Sequence, residues 1–478
     1  MRLTGLFRRG KAKQRGASLM IIIVILVVAF AAALVTSLSL SSIKSARQQR
    51  TTTALSQAKA ALIGYATTYS DTHSGEVIGF LPCPDYDGSN GEGSSPLGAC
   101  GSQDVSQIGR LPWRTLNLPK ILDGDGECLW YAVSGTYKNN PKTGLMNWDT
   151  NGQLKAYSSD GTLLTQSNNQ AVAVIIAPGK ALSGQNRAGT SAPICGGNYT
   201  ATNYLDNDTS HSINNSDVST GKFIQAHEHR DANGTLTLDI NDQMIFITKL
   251  DIWNAIQKRT DFQPTNVNNP LNLMTKRVAE CLANFGNNNG GCGWSCTNKS
   301  LPWPGQVTLG TNLLTDYYVN NNYNDTVNLY AGRVPYLVGT ARATTGNTFP
   351  TLMNTSNCPA GWSNVDPWWN NWKDHLFYAL AQEFHPTSSG GQSCGWSANC
   401  LKINGSGNYA AVIMFAGQKL SSQTRDDKSV VGNYLETPNN TNFSGATGNE
   451  SYKTAPASGT FNDYLYCING SLGVSQCP

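Results

Sequence analysis

The chain is sparing with charge, and each gap in its composition closes off a class of protein. Only 14% of its residues are charged, and the segment up to Arg15 carries no acidic residue at all. Residues 17 to 68 contain no proline, so nothing there forces a break in a helix. No cysteine precedes Cys83. No phosphate-binding loop or His-Glu-x-x-His pair appears, and no convincing enzyme constellation is left. The formal charge of +3 falls to about −3 without the six leader charges, which removes the electrostatic basis for a nucleic-acid partner. Gly, Asn, Ser and Thr fill the loops instead, as expected of an exported, loop-rich and largely β protein.

What is present begins with Arg2, Arg8, Arg9, Lys11, Lys13 and Arg15, then Gly16-Ala17-Ser18-Leu19-Met20-Ile21 and an apolar run to about Leu40. A run of roughly 20 residues is long enough to span a bilayer core, with the basic end inside. From Ile43 the pattern turns amphipathic, with Leu55, Ala58, Leu62 and Tyr65 at helical spacing, which predicts one helix over 17–68.

The small residues Gly16 and Ala17 precede the apolar run, whereas a cleavable secretory signal has them after it. That order resembles the class III leader of type IV prepilins and type II secretion pseudopilins. The resemblance covers about the first 65 residues. It implies cleavage by prepilin peptidase between Gly16 and Ala17, and a retained helix that packs against other pilins or pseudopilins. It also implies a stage in the bacterial inner membrane with the heads in the periplasm, then a place in a filament or at the cell surface. The fifth mature residue is Ile21 where the family usually has Glu, a departure shared by tip-type and minor members. The expected function is therefore a non-enzymatic minor or tip subunit of a type IV pilus or type II secretion filament. The alternative is a membrane-anchored adhesin or carbohydrate-binding protein with a surface glycan or protein ligand.

The head reads as if written twice. Gly109-Arg-Leu-Pro-Trp113 returns as Gly332-Arg-Val-Pro-Tyr336, and Leu129-Trp-Tyr-Ala-Val133 as Leu376-Phe-Tyr-Ala-Leu380. Ala173 to Gly179, with Gln185 and Arg187, returns as Ala411 to Gly417, with Gln423 and Arg425. Asn203-Tyr-Leu-Asp206 and Asn241-Asp242 return as Asn433-Tyr-Leu-Glu436 and Asn462-Asp463. Five blocks in one order predict two related domains. The expected fold class is α+β: leader 1–16, a long transmembrane pilin-type helix 17–68, head 69–250, helical linker 251–290 and duplicate head 291–478, with antiparallel sheets. Asn269-Pro270 starts a linker helix that Gly286 should stop. Leu129–Val133 is ambiguous between strand and helix, while Trp372 to Phe384 reads as helix. The 12 cysteines favour disulfides, with Cys83–Cys100, Cys394–Cys400 and Cys467–Cys477 as local guesses.

Three groups of residues are candidate sites. Asp85, Asp87, Asn90 and Glu92 alternate oxygen side chains with glycines, and Asp123 and Asp125 form a second acidic loop; both patterns suit Ca²⁺. Trp368, Trp369 and Trp372 sit in an Asn-rich stretch and suit a surface-binding patch for a sugar. His227-Glu228-His229 has metal-binding residue types without helical metal spacing, and a membrane-anchored hydrolase built on it is the weakest reading. Arg187 and Arg425 are expected to tie a loop down after the central strand.

Overall fold

The computed structural model describes residues 42–189, 195, 197–230, 236–264, 266, 268–289, 299–312, 315–339, 351–386, 393–395 and 399–478. The basic leader, Gly16, Ala17 and the apolar run lie outside these residues.

Helix α1 (residues 42–67) buries Thr51, Ala54, Leu55, Ala58, Leu62 and Ala66. These recur every three or four residues and put one stripe on the head. Residues 42–50 are each exposed. The expected helix over 17–68, membrane-spanning to about 40, is corrected to a helix over 42–67 among the described residues, and the inner-membrane localisation drawn from it is corrected with it. No helix among the described residues is long and apolar enough to cross a membrane. Within the described residues, Lys44, Arg47, Gln48, Gln49, Arg50 and Thr51–Thr53 leave α1 apolar on one stripe alone, and that stripe is spent on the head.

A glycine brings the acidic loop after Ile121 against this helix. A Cβ on Gly124 would lie 2.2 Å from the Arg47 carbonyl oxygen, so only glycine allows the approach. The Gly124 N–H donates to Thr51 Oγ1 at 2.9 Å, and Arg47 pairs with Asp125 at 3.0 Å.

After a short α2 (Tyr69–Thr72), the first half holds β1 (Gln107–Arg110), β2 (Trp130–Val133), β3 (Lys155–Tyr157), β4 (Ala171–Ala177), β5 (Asn207–Asp208), β6 (Ile213–Asn214), β7 (Lys222–Ile224), β8 (His227–Arg230), β9 (Leu236–Ile240) and β10 (Gln243–Thr248). Helices α3 (Lys249–Gln257) and α4 (Pro270–Asn289) follow. The second half holds β11 (Ala331–Arg333), α5 (Asp366–Trp372), β12 (Leu376–Leu380), β13 (Leu401–Ile403), β14 (Ser406–Phe415), β15 (Ser451–Tyr452), β16 (Tyr464–Asn469) and β17 (Val474–Gln476).

The two main sheets share one plan. In the first, the antiparallel order is β1-β2-β4-β10, and in the second β12 and β16 flank β14 with β11 outside β12. The repeated sequence blocks meet in equivalent register: Gly109 faces Tyr131, Ile175 and Ile245 in turn, as Gly332 faces Tyr378, Ile413 and Tyr466. Tyr131 donates its hydroxyl to the Pro82 carbonyl and Tyr378 to that of Pro302. Arg187 donates to the Gly179 carbonyl and Gln185, while Arg425 donates to the Gly417 carbonyl and Gln423. The guanidinium ties the end of the central strand to the next loop in both halves. Each half also buries an acid pair: Asp242 accepts the Asp206 N–H, and Asp463 accepts the Glu436 N–H.

Leu376–Leu380 is a strand, not the helix expected there. It lies in the middle of the sheet with every residue buried, and a strand covered on both faces shows no alternation to separate it from buried helix. Asn269 caps α4 by accepting from the Leu271 N–H at 2.9 Å. Gly286 does not end this helix. A Cβ there would come within 2.8 Å of Leu472 Cδ1 and 3.0 Å of Leu301 Cδ2, so the bare Cα lets both leucines close on the helix.

Disulfides join Cys83–Cys100, Cys394–Cys400 and Cys467–Cys477, and longer bridges join Cys128–Cys195 and Cys281–Cys358. Cys292 and Cys296 lie outside the described residues.

One continuous apolar core runs through both halves. At their junction the loop around Asn147 to Asp149 inserts into the second half. Trp148 packs edge-on against Trp372 at 4.5 Å between ring centres, and Trp253 does so at 5.6 Å. The buried His375 lies between two carboxylates, with Nδ1 2.9 Å from Asp374 and Nε2 2.9 Å from Asp149. Arg425 reaches Asp149 at 3.1 Å, and Lys428 pairs with Asp374. Its counterpart Arg187 pairs within its own half, with Glu127 at 3.1 Å. The same arginine thus closes a loop in the first half and joins the halves in the second.

Candidate functional site

A concavity of about 1100 Å³ lies between α1 and the outer loops of the first half. Lys44, Arg47 and Lys180 supply positive charge, while Asp160, His211 and His227 lie among its other lining residues. The histidines arrive from different elements. β5 and β6 form a short hairpin that carries Asp208 and, on its turn, His211; β8 supplies His227. The turn needs a left-handed residue, Ser212 at φ 56°.

Asp208 is the centre of this group and is buried. It accepts from the Ser210 N–H at 2.9 Å and the Ser210 hydroxyl at 2.6 Å, and it meets His211 Nδ1 at 2.5 Å. Burial works against its charge, but the hydrogen bonds from Ser210 and His211 outweigh burial and hold the carboxyl below its ordinary value. His227 Nε2 lies 3.8 Å from the same carboxylate. The Asp160-Gly161 turn presses on the His211 ring: a Cβ on Gly161 would be 2.4 Å from its Cδ2.

The sequence-predicted sites fare differently. Asp85 is buried and accepts the N–H groups of Gly88 at 2.9 Å and Gly93 at 2.7 Å, along with the Tyr199 hydroxyl. Burial pushes its carboxyl above the ordinary value despite these donors. Asp87 turns to the Ser89 N–H, Asn90 to the Ser95 carbonyl, and Glu92 to Arg110 at 3.7 Å and the Cys195 N–H. Asp123, also buried and pushed up by burial, accepts from the N–H groups of Asp125, Glu127 and Gly179. Both acidic loops spend their carboxylates on amides and cations, and among the described residues no three of them come within metal-ligand distance of one another, so they do not form a carboxylate cage for Ca²⁺. The Asp123 loop instead docks α1.

The tryptophan patch is corrected as well. Trp369 and Trp372 are fully buried and Trp368 nearly so, in the core where α5 meets the first half, so they face no surface ligand. Of His227-Glu228-His229, the structure brings His227 to Asp208 and His211. Sequence reasoning missed that assembly because its members lie on separate elements; the signal was Asp208 and His211 at either end of a short turn.

A second concavity of about 940 Å³ opens beside the junction, lined in part by Trp148, Trp253, Phe262, Asn269, Lys419 and Tyr464. Compared with known proteins, the chain matches no family model, no curated protein and no solved structure.

Proposed function

We propose that this chain is a non-enzymatic, pilin-like minor or tip subunit that presents two fused heads from one projecting helix. The observation that carries the reading is the change of character along α1. Its second half is bound into the head through Ala54, Leu55, Ala58, Leu62 and Ala66, while residues 42–50 bury no side chain and touch the head through Arg47 at the Gly124–Asp125 loop. A helix that leaves its own domain in this way offers a surface for packing against other subunits, which is how pilin-type filaments are built. The leader order Arg15-Gly16-Ala17 and the missing Glu at Ile21 support a minor or tip member. Two heads sharing one core are too bulky for a closely repeating lattice.

Sheared and purified filaments test the proposal. The chain is expected in them at low copy number, and charge-reversing substitutions at Lys44 and Arg47 should deplete it there without unfolding the heads. Its absence from filaments while the peptidase and major subunit are present overturns the reading.

A further inference from the structure

We propose that Asp208, His211 and His227 form a binding site for a divalent transition cation of the zinc class, with the remaining coordination positions open to the first-half cleft. The site goes beyond the display role and does not depend on it.

Among the described residues, one ligand atom from each of these three side chains lies within 4.8 Å of the other two. Tetrahedral zinc with bonds of about 2.0–2.2 Å holds its ligand atoms roughly 3.3 Å apart. Ligation would widen the 2.5 Å contact of His211 Nδ1 with Asp208 and narrow the 3.8 Å contact of His227 Nε2. Each moves by roughly 1 Å or less, within reach of side-chain adjustment. Two imidazoles and one carboxylate suit zinc and its neighbours, while Ca²⁺ and Mg²⁺ need more oxygen donors than the group offers.

A second observation concerns His227 itself. Its Nε2 is too far from Asp208 for a hydrogen bond, and its Nδ1 is buried with no hydrogen-bond partner. At that distance the Nε2 lone pair is not committed to Asp208, which leaves it available to a cation held by the same carboxylate. The supporting contacts are in place: Ser210 orients the carboxylate through two hydrogen bonds, and the bare Cα of Gly161 admits the His211 ring. The site belongs to the first half alone, because no histidine follows His385.

The test is calorimetric titration of chelator-treated full-length protein with Zn²⁺, with Ca²⁺ and Mg²⁺ as competitors. One equivalent should bind, neither competitor should displace it, and His211→Gln or His227→Gln should weaken it by about 10- to 100-fold or more. His73→Gln, far from the site, should leave the affinity unchanged. Near-UV circular dichroism checks that each variant is folded. Gly161→Ala is a milder second variant that crowds His211 without removing a ligand, and it should also weaken binding. Absence of Zn²⁺ binding by the folded wild type, or affinity unaltered in folded His211→Gln and His227→Gln, overturns the proposal.

Discussion

Removing the Asp149 carboxylate should loosen the junction between the two halves. In Asp149→Ala the buried Arg425 guanidinium loses its ion-pair partner, and His375 loses the carboxylate at its Nε2. Breaking a buried pair from one side costs about 3–5 kcal/mol, because the remaining charge stays out of water. Burial favours protonation of Asp149, but Arg425, His375 and Lys428 outweigh it and hold the carboxyl well below its ordinary range. A depressed folded-state pKa gives stability that is present above the unfolded value of about 3.9 and lost as pH falls toward the folded one. The deficit of the variant should therefore be full at pH 7 and shrink below about pH 4. Urea unfolding followed by tryptophan fluorescence is a suitable assay, since Trp148 and Trp372 sit at the junction. Adding Arg425→Leu should recover part of the loss, as both charges are then gone. A deficit under about 1 kcal/mol at pH 7, or one that grows in acid, refutes the reasoning.

Two other substitutions act in opposite directions. Gly124→Ala should destabilise by about 1–3 kcal/mol, because the added carbon meets the α1 backbone at Arg47, and melting curves will show whether that loop can yield instead. Asp463→Asn should stabilise the protein at neutral pH: burial first, then the Glu436 charge, raise the Asp463 carboxyl well above its ordinary value. A raised folded-state pKa means stability is lost as pH rises through it. Urea unfolding at pH 7 and pH 4 should show the gain at the higher pH alone.

The equivalence of the two central sheets was legible because the same blocks are written in both halves. A pair such as Tyr131 and Tyr378, or Arg187 and Arg425, recurs with its neighbours and so marks equivalent places in two sheets. Asn269-Pro270 likewise announced α4, since capping chemistry is local. What escaped depended on partners distant in sequence. Leu376–Leu380 has no periodicity because neighbours cover both its faces, and the aromatic cluster at Trp368 to Trp372 resembles a surface patch until the first half packs over it. Acidic loops with alternating oxygens look the same whether they hold a cation or their own amides, and at Asp85 and Asp123 the amides are in place. The Asp208, His211 and His227 group has no contiguous motif, since a hairpin and a separate strand must meet to make it.

The pilin-like character of the chain is tested most directly at its mature N-terminus. Mass spectrometry of the protein from cells with and without prepilin peptidase should give a peptidase-dependent start at Ala17. An intact Met1, or a cut beyond the apolar run whether or not the peptidase is present, contradicts it.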